Sequence, residues 1–119
     1  IAIEPLRAQE CNILHHVAEA QYLASRVGLP NVGALADLYH MMSGGEDCTA
    51  VERGILHAHI AERVQRAYPR KGDGSEPEYE AFFRALHAGG YAGRVSIEGN
   101  CGDFAAEARA AYALLNTYR

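Results

Sequence analysis

Ala36-Asp37-Leu38-Tyr39-His40-Met41 follows directly on the apolar run from Val32 to Ala36 and sets an acidic residue and a histidine three positions apart. A short run of small and branched apolar residues that breaks off at an acid reads as a buried strand delivering a carboxylate to its C-terminal end. The pattern recurs along the chain. Ile1-Ala2-Ile3 ends at Glu4, Ile55-Leu56-His57-Ala58 ends at His59, and Val95-Ser96-Ile97 ends at Glu98. Four predicted strands, at about 1–4, 32–37, 55–59 and 94–98, therefore each finish in a side chain able to ligate a metal.

Between the strands the periodicity changes from two to about 3.6. From about Asn12 to Val27 the positions Ile13, Val17, Ala20, Ala24 and Val27 recur at helical spacing, with Asn12 as the expected N-cap and Gly28 as the stop. Ser43-Gly44-Gly45 reads as a flexible loop, followed by a short helix from about Asp47 to Arg53. Ser75-Glu76-Pro77-Glu78 opens a helix with Tyr79, Phe82, Phe83 and Leu86 on its apolar stripe, ending at Gly89-Gly90. A last helix carries Phe104, Ala108, Ala111, Tyr112 and Leu115 on one stripe. Glu62 to Ser75 is the longest irregular stretch, and loops of that length on a regular scaffold often carry function.

The order βαβαβαβα predicts an α/β fold with a parallel sheet and right-handed crossovers. On the strands, the ligand side chains alternate with branched residues, sharing their face with small or polar neighbours such as Ala2, Gly33 and Ser96. Ile55, His57 and His59 are expected on one face of the third strand, and Leu56 and Ala58 on the other. One polar face and one apolar face suit the inside and outside of a barrel. A complete (β/α)8 barrel has roughly 250 residues, so these 119 make four βα units, half of one, in a single domain over 1–119. Such a half leaves strand edges open, which predicts completion by dimerisation or by an N-terminal half. Opening at Ile1 without Met, already inside a strand, the chain is expected to be processed or part of a longer protein.

Composition narrows the partners. A net charge of −4 without a Lys/Arg run implies neither nucleic acid nor an anionic membrane surface. No apolar stretch reaches the length of a membrane span, and the start lacks a signal-peptide pattern. Cys11, Cys48 and Cys101 are too few and too widely spaced for a disulfide scaffold or a thiolate metal site, which predicts a cytoplasmic setting.

A single acid after a strand is most often a loop residue or a helix cap. Four ligands at equivalent strand ends point instead to one divalent-metal site built from Glu4, Asp37, His59 and Glu98. Three carboxylates and one imidazole favour Mn2+, Mg2+ or Co2+ over Zn2+. Carboxylates either side of such a metal can take and return a proton on a carbon next to a carbonyl, the chemistry of sugar isomerisation and epimerisation.

Ile3-Glu4-Pro5-Leu6, Asp37-Leu38-Tyr39-His40-Met41, His57-Ala58-His59 and Ser96-Ile97-Glu98 resemble, in order, the last four strand ends of the xylose-isomerase-like TIM-barrel sugar isomerases and epimerases. The resemblance implies a metal-dependent isomerase or epimerase acting on a keto-sugar or sugar phosphate through an enediolate. It implies Glu4 and Glu98 as the acid/base pair, and Glu10, His40 and Arg66 as substrate-contacting residues. Arg7 stands where many members have Asn, and the loop between His59 and Pro69 is about one residue longer than in the epimerases. A catalytically incomplete half-barrel, binding metal and associating with itself or a partner, is the alternative expectation. Zinc-dependent hydrolysis of abasic DNA, known in a related barrel family, needs more ligands than these four strand ends supply.

Overall fold

The computed structural model describes residues 1–51 and 53–119. Four strands, β1 (Ala2–Ile3), β2 (Gly33–Asp37), β3 (Ile55–Ile60) and β4 (Val95–Ile97), alternate with helices α1 (Val17–Val27), α2 (Leu38–Gly44), α3 (Glu76–Ala88) and α4 (Phe104–Leu115), before a 3₁₀ turn at Asn116–Tyr118. The strands lie side by side in the order β1-β2-β3-β4, all parallel. This is the arrangement of four successive units of a (β/α)8 barrel, half the full count. No described helix is long and apolar enough to cross a membrane.

Ile60 of β3 and Val95 and Ile97 of β4 face the helices, as the alternation predicts. Ala36, Ala58 and Ile60 pack in one cluster with Val17 of α1, Leu38 and Met41 of α2, and Tyr79, Phe82 and Leu86 of α3; Val95 and Ile97 of β4 lie against it. Each large side chain fully buried there contributes about 1.5–3 kcal/mol, and this outer layer holds the polar strand ends in place.

Four elements depart from the sequence reading. First, α1 begins at Val17 rather than Asn12. Its first turn is capped by acids, with Glu19 Oε2 accepting from the His15 and His16 amides at 2.7 and 3.0 Å, and Glu46 Oε1 accepting from Val17 N at 3.0 Å. Ile13, which matched the helical period, lies before this cap and is exposed. Second, the helix expected over Asp47 to Arg53 is a turn. Asp47 Oδ1 accepts from both the amide and the hydroxyl of Thr49, a local bond that competes with helix; Glu52 lies outside the described residues. Ser43 and Gly44, read as loop, instead close α2, which Gly45 caps at φ 73°.

Third, the register between β2 and β3 slips: Ala34 pairs with Ile55 but Leu35 with His57. The extra residue, Leu56, forms a bulge and leaves Ile55 against the helix-side cluster. Leu56 is thereby turned over Gly33, where a Cβ would stand 2.6 Å from Leu56 Cγ and 2.8 Å from the Gly54 carbonyl oxygen. Gly33→Ala is therefore expected to cost about 2–3 kcal/mol in urea denaturation, because the backbone contact cannot be relieved by a rotamer change. Fourth, only Ala111 and Leu115 of the α4 stripe are buried, while Phe104 and Tyr112 are exposed.

Candidate metal centre

The parallel ladder brings the four strand ends together. Asp37 pairs with His59 and His59 with Ser96, and the Glu98 amide continues the ladder by donating to Ile60 O at 3.1 Å. Glu4, Asp37, His59 and Glu98 each offer one ligand atom, and these atoms lie within 4.8 Å of one another. His59 Nδ1 is 2.8 Å from Glu98 Oε2, 3.3 Å from Glu4 Oε1 and 3.9 Å from Asp37 Oδ2.

Glu4 Oε1, Asp37 Oδ2 and His59 Nδ1 are buried, and none has an aligned hydrogen-bond partner among the described residues; the short approach to Glu98 is a contact without hydrogen-bond geometry. Unpartnered buried polar atoms are costly, and three converging on one point fit a cation that all of them can ligate. The donor set, three carboxylates and one imidazole, is that of a hard divalent ion. The sequence-predicted ligands thus stand together.

Asp37 has two tasks. Its Oδ1 accepts from Tyr39 N at 2.8 Å as the N-cap of α2, which leaves Oδ2 for the cluster. Burial holds its pKa up, from 3.8 to about 6, against the opposing pull of His40, the Tyr39 amide and His59; the Glu4 carboxylate adds to the rise. His40 is buried and its pKa is lowered, first by burial and then by Arg66 and Arg7, with Asp37 and Glu10 acting the other way.

The three residues assigned to substrate by resemblance line one side of the cluster. Arg66 Nη2 lies 3.5 Å from His40 Nε2, 3.2 Å from Glu98 Oε2 and 3.7 Å from Asp37 Oδ2, while its Nη1 is 3.7 Å from Glu10 Oε2. Arg66 is also the described non-glycine residue with positive φ, 51°. Contacts from the chain after β4 hold it there: its carbonyl accepts from Asn100 N at 2.7 Å, and Asn100 O accepts from Tyr68 N at 3.0 Å. Glu62, buried, accepts from the amides of Val64 and Gln65 and shapes the turn before it.

Tyr39, Glu62 and Gly99 are the residues of this site that sequence reasoning passed over. The Gly directly after a strand-end acid, in Glu98-Gly99-Asn100, was the available signal for close backbone approach. A Cβ on Gly99 would stand 2.7 Å from the Arg66 carbonyl oxygen. Gly99→Ala is expected to break the Asn100–Arg66 bond at a cost of about 1–3 kcal/mol, seen as accelerated amide exchange at Asn100.

The profile of the family described as xylose isomerase-like TIM barrel matches residues 1–118. Among solved structures, the chain is similar to a D-psicose 3-epimerase crystallised in the presence of D-fructose, with TM-score 0.81 and 23% identity over 99% of this chain and 47% of that one. It is similar to the 3-keto-D-glucoside 4-epimerase of E. coli in its apo form, with TM-score 0.78 and 26% identity over 98% and 45%. A D-psicose 3-epimerase from Clostridium cellulolyticum H10, with D-tagatose, gives TM-score 0.76 and 23% identity over 99% and 47%. The chain thus spans a little under half the length of each of these structures. No curated protein matches it.

Proposed function

Since the chain belongs to the xylose isomerase-like TIM barrel family, we propose that it carries the metal site of a divalent-metal-dependent isomerase or epimerase of a keto-sugar or sugar phosphate. The observation that carries this reading is the convergence of Glu4, Asp37, His59 and Glu98 on one point, with three of their ligand atoms buried and unpartnered. These four residues would hold Mn2+, Mg2+ or Co2+, and the bound ion would supply polarisation of the substrate carbonyl.

The chain's own residues do the rest. Glu4 and Glu98 come from the two outer strands and flank His59 from either side. One of these carboxylates takes the proton from the carbon next to the carbonyl, and the bonding pair moves toward the carbonyl oxygen to give an enediolate. The other, starting in its protonated form, gives a proton to the opposite face of the same carbon for epimerisation; for isomerisation the proton goes to the neighbouring carbon while the hydroxyl proton passes from one oxygen to the other. His40 and Arg66, beside Asp37 and Glu98, orient the hydroxyls, and Glu10 steadies Arg66. The test is metal titration followed by transfer of the loaded chain into D2O with a ketose. Deuterium uptake at the carbon next to the carbonyl supports the reading, and the absence of stoichiometric metal binding sinks it.

A second reading is favoured by the open sheet. Strands β1 and β4 each have one neighbour, and Ile1, Phe104 and Tyr112 are 80%, 65% and 68% exposed. On this reading the chain binds metal but turns over no sugar until a second copy or an N-terminal half completes the walls. Native mass spectrometry read beside the deuterium-uptake assay separates the two: a metal-loaded monomer that exchanges supports the first reading, and a metal-loaded monomer that does not exchange supports the second.

A further inference from the structure

We propose that Arg7 and Arg66 form a paired guanidinium clamp that selects substrates carrying an anionic group, a phosphate or carboxylate, over neutral sugars. The inference rests on the sugar-directed reading above and narrows its substrate class. Both guanidinium carbons sit against one ring, 5.0 Å (Arg7) and 4.8 Å (Arg66) from the centroid of Tyr39. Tyr39 itself is buried in α2, so its ring is a fixed platform. Two like charges are held against the same aromatic group, an arrangement that costs energy unless anions meet it.

The acids present do not meet it in full. Glu10 lies between the pair, with Oε1 2.6 Å from Arg7 Nε and Oε2 3.7 Å from Arg66 Nη1. It is the carboxylate within reach of Arg7 among the described residues, and Arg7 shares it with Arg66. Arg66 also approaches Asp37 and Glu98, but those carboxylates are the ones assigned to the metal. Arg7 binds Glu10 through Nε, which leaves its Nη1 and Nη2 fork without a hydrogen-bond partner among the described residues. A planar fork of free N–H donors matches the two oxygens of a phosphate or carboxylate, and it does so better than a single hydroxyl.

The position is also apt. Arg7 N donates to His40 Nδ1 at 3.3 Å, and His40 Nε2 is 3.8 Å from Asp37 Oδ2. Arg7 is therefore one imidazole ring away from the ligand cluster, and Arg66 borders it directly. A sugar whose carbonyl end reaches the cluster would extend its substituted end toward the open Nη fork of Arg7, on the side away from Glu10.

The test is calorimetric titration of the Mg2+-loaded chain at low salt with four ligands: a ketose, its terminal phosphate, the corresponding keto-acid, and inorganic phosphate. The anionic sugars are expected to bind at least tenfold tighter than the ketose. Raising the salt should shrink that margin, and Arg7→Gln should remove it with metal stoichiometry unchanged. The phosphate and keto-acid arms identify which anion is preferred. Equal binding of neutral and anionic sugars, or a margin unaffected by Arg7→Gln, overturns the clamp and leaves the isomerase reading standing. Arg7-dependent binding of inorganic phosphate without metal or ketose binding supports the clamp and sinks the isomerase reading. Failure of every anion to bind overturns the clamp.

Discussion

Asp37→Asn is expected to make the metal-free chain more stable and to abolish its binding of divalent cations. Asp37 is 2% exposed, and its Oδ2 faces Glu4, His40, His59 and Arg66 without an aligned hydrogen bond. Burial raises its pKa from 3.8 to about 6, so above that pH the folded metal-free chain holds an ionised carboxylate at a cost of about 2–3 kcal/mol. Asparagine keeps an oxygen able to accept from Tyr39 N and hence keeps the α2 cap. It removes the charge, and with it a ligand.

The sign of the pH dependence follows from the raised value. The folded state holds the Asp37 proton more tightly than the unfolded chain does, so the favourable contribution is complete below pH 3.8 and is lost as pH rises to about 6. With chelator present, denaturant melts of the native chain minus those of Asp37→Asn should show this loss and then level off. With excess divalent cation the native chain should gain stability above pH 6, because binding requires the ionised carboxylate. A variant that still bound metal stoichiometrically would overturn the assignment of Asp37 as a ligand.

Glu98→Gln is expected to lower the rate of proton exchange next to the substrate carbonyl by about 10²–10⁴-fold, the usual worth of a positioned acid/base group. The fold should survive. The Glu98 side chain is about half exposed at 48%, and the contact that ties this position to the sheet is made by its backbone amide to Ile60 O. Glutamine matches glutamate in size and retains a carbonyl oxygen for the metal, but it cannot accept and return a proton. Deuterium uptake, measured beside an unchanged thermal melt, separates loss of chemistry from loss of structure. Full exchange in the variant would remove Glu98 from the acid/base pair. The same measurement on Glu4→Gln reports the other carboxylate.

The positions of the four candidate ligands were legible one strand at a time. Each strand is a short apolar run that ends abruptly in an acid or histidine, and alternation along a strand is a local property that needs no partner. Parallel pairing then aligns these ends at one edge of the sheet, so the order of the runs already implied the cluster at Glu4, Asp37, His59 and Glu98. Helix α3 was equally plain, because Ser75-Glu76-Pro77 marks its start without help from elsewhere.

Other features rest on residues far apart in the chain. Val17 opens α1 because the Glu46 carboxylate, from the loop after α2, accepts its amide. Leu56 lies over Gly33 because β3 must pair with a β2 whose Gly33 leaves room for it. Arg66 takes its left-handed backbone because Gly99 and Asn100, beyond β4, clamp its carbonyl. The chain's local chemistry determined which residues would stand at the strand ends. How the loops and α2 set Arg7, Tyr39 and Arg66 beside that site was decided by packing, since a cap, a bulge or a clamped carbonyl exists only once two distant segments have met.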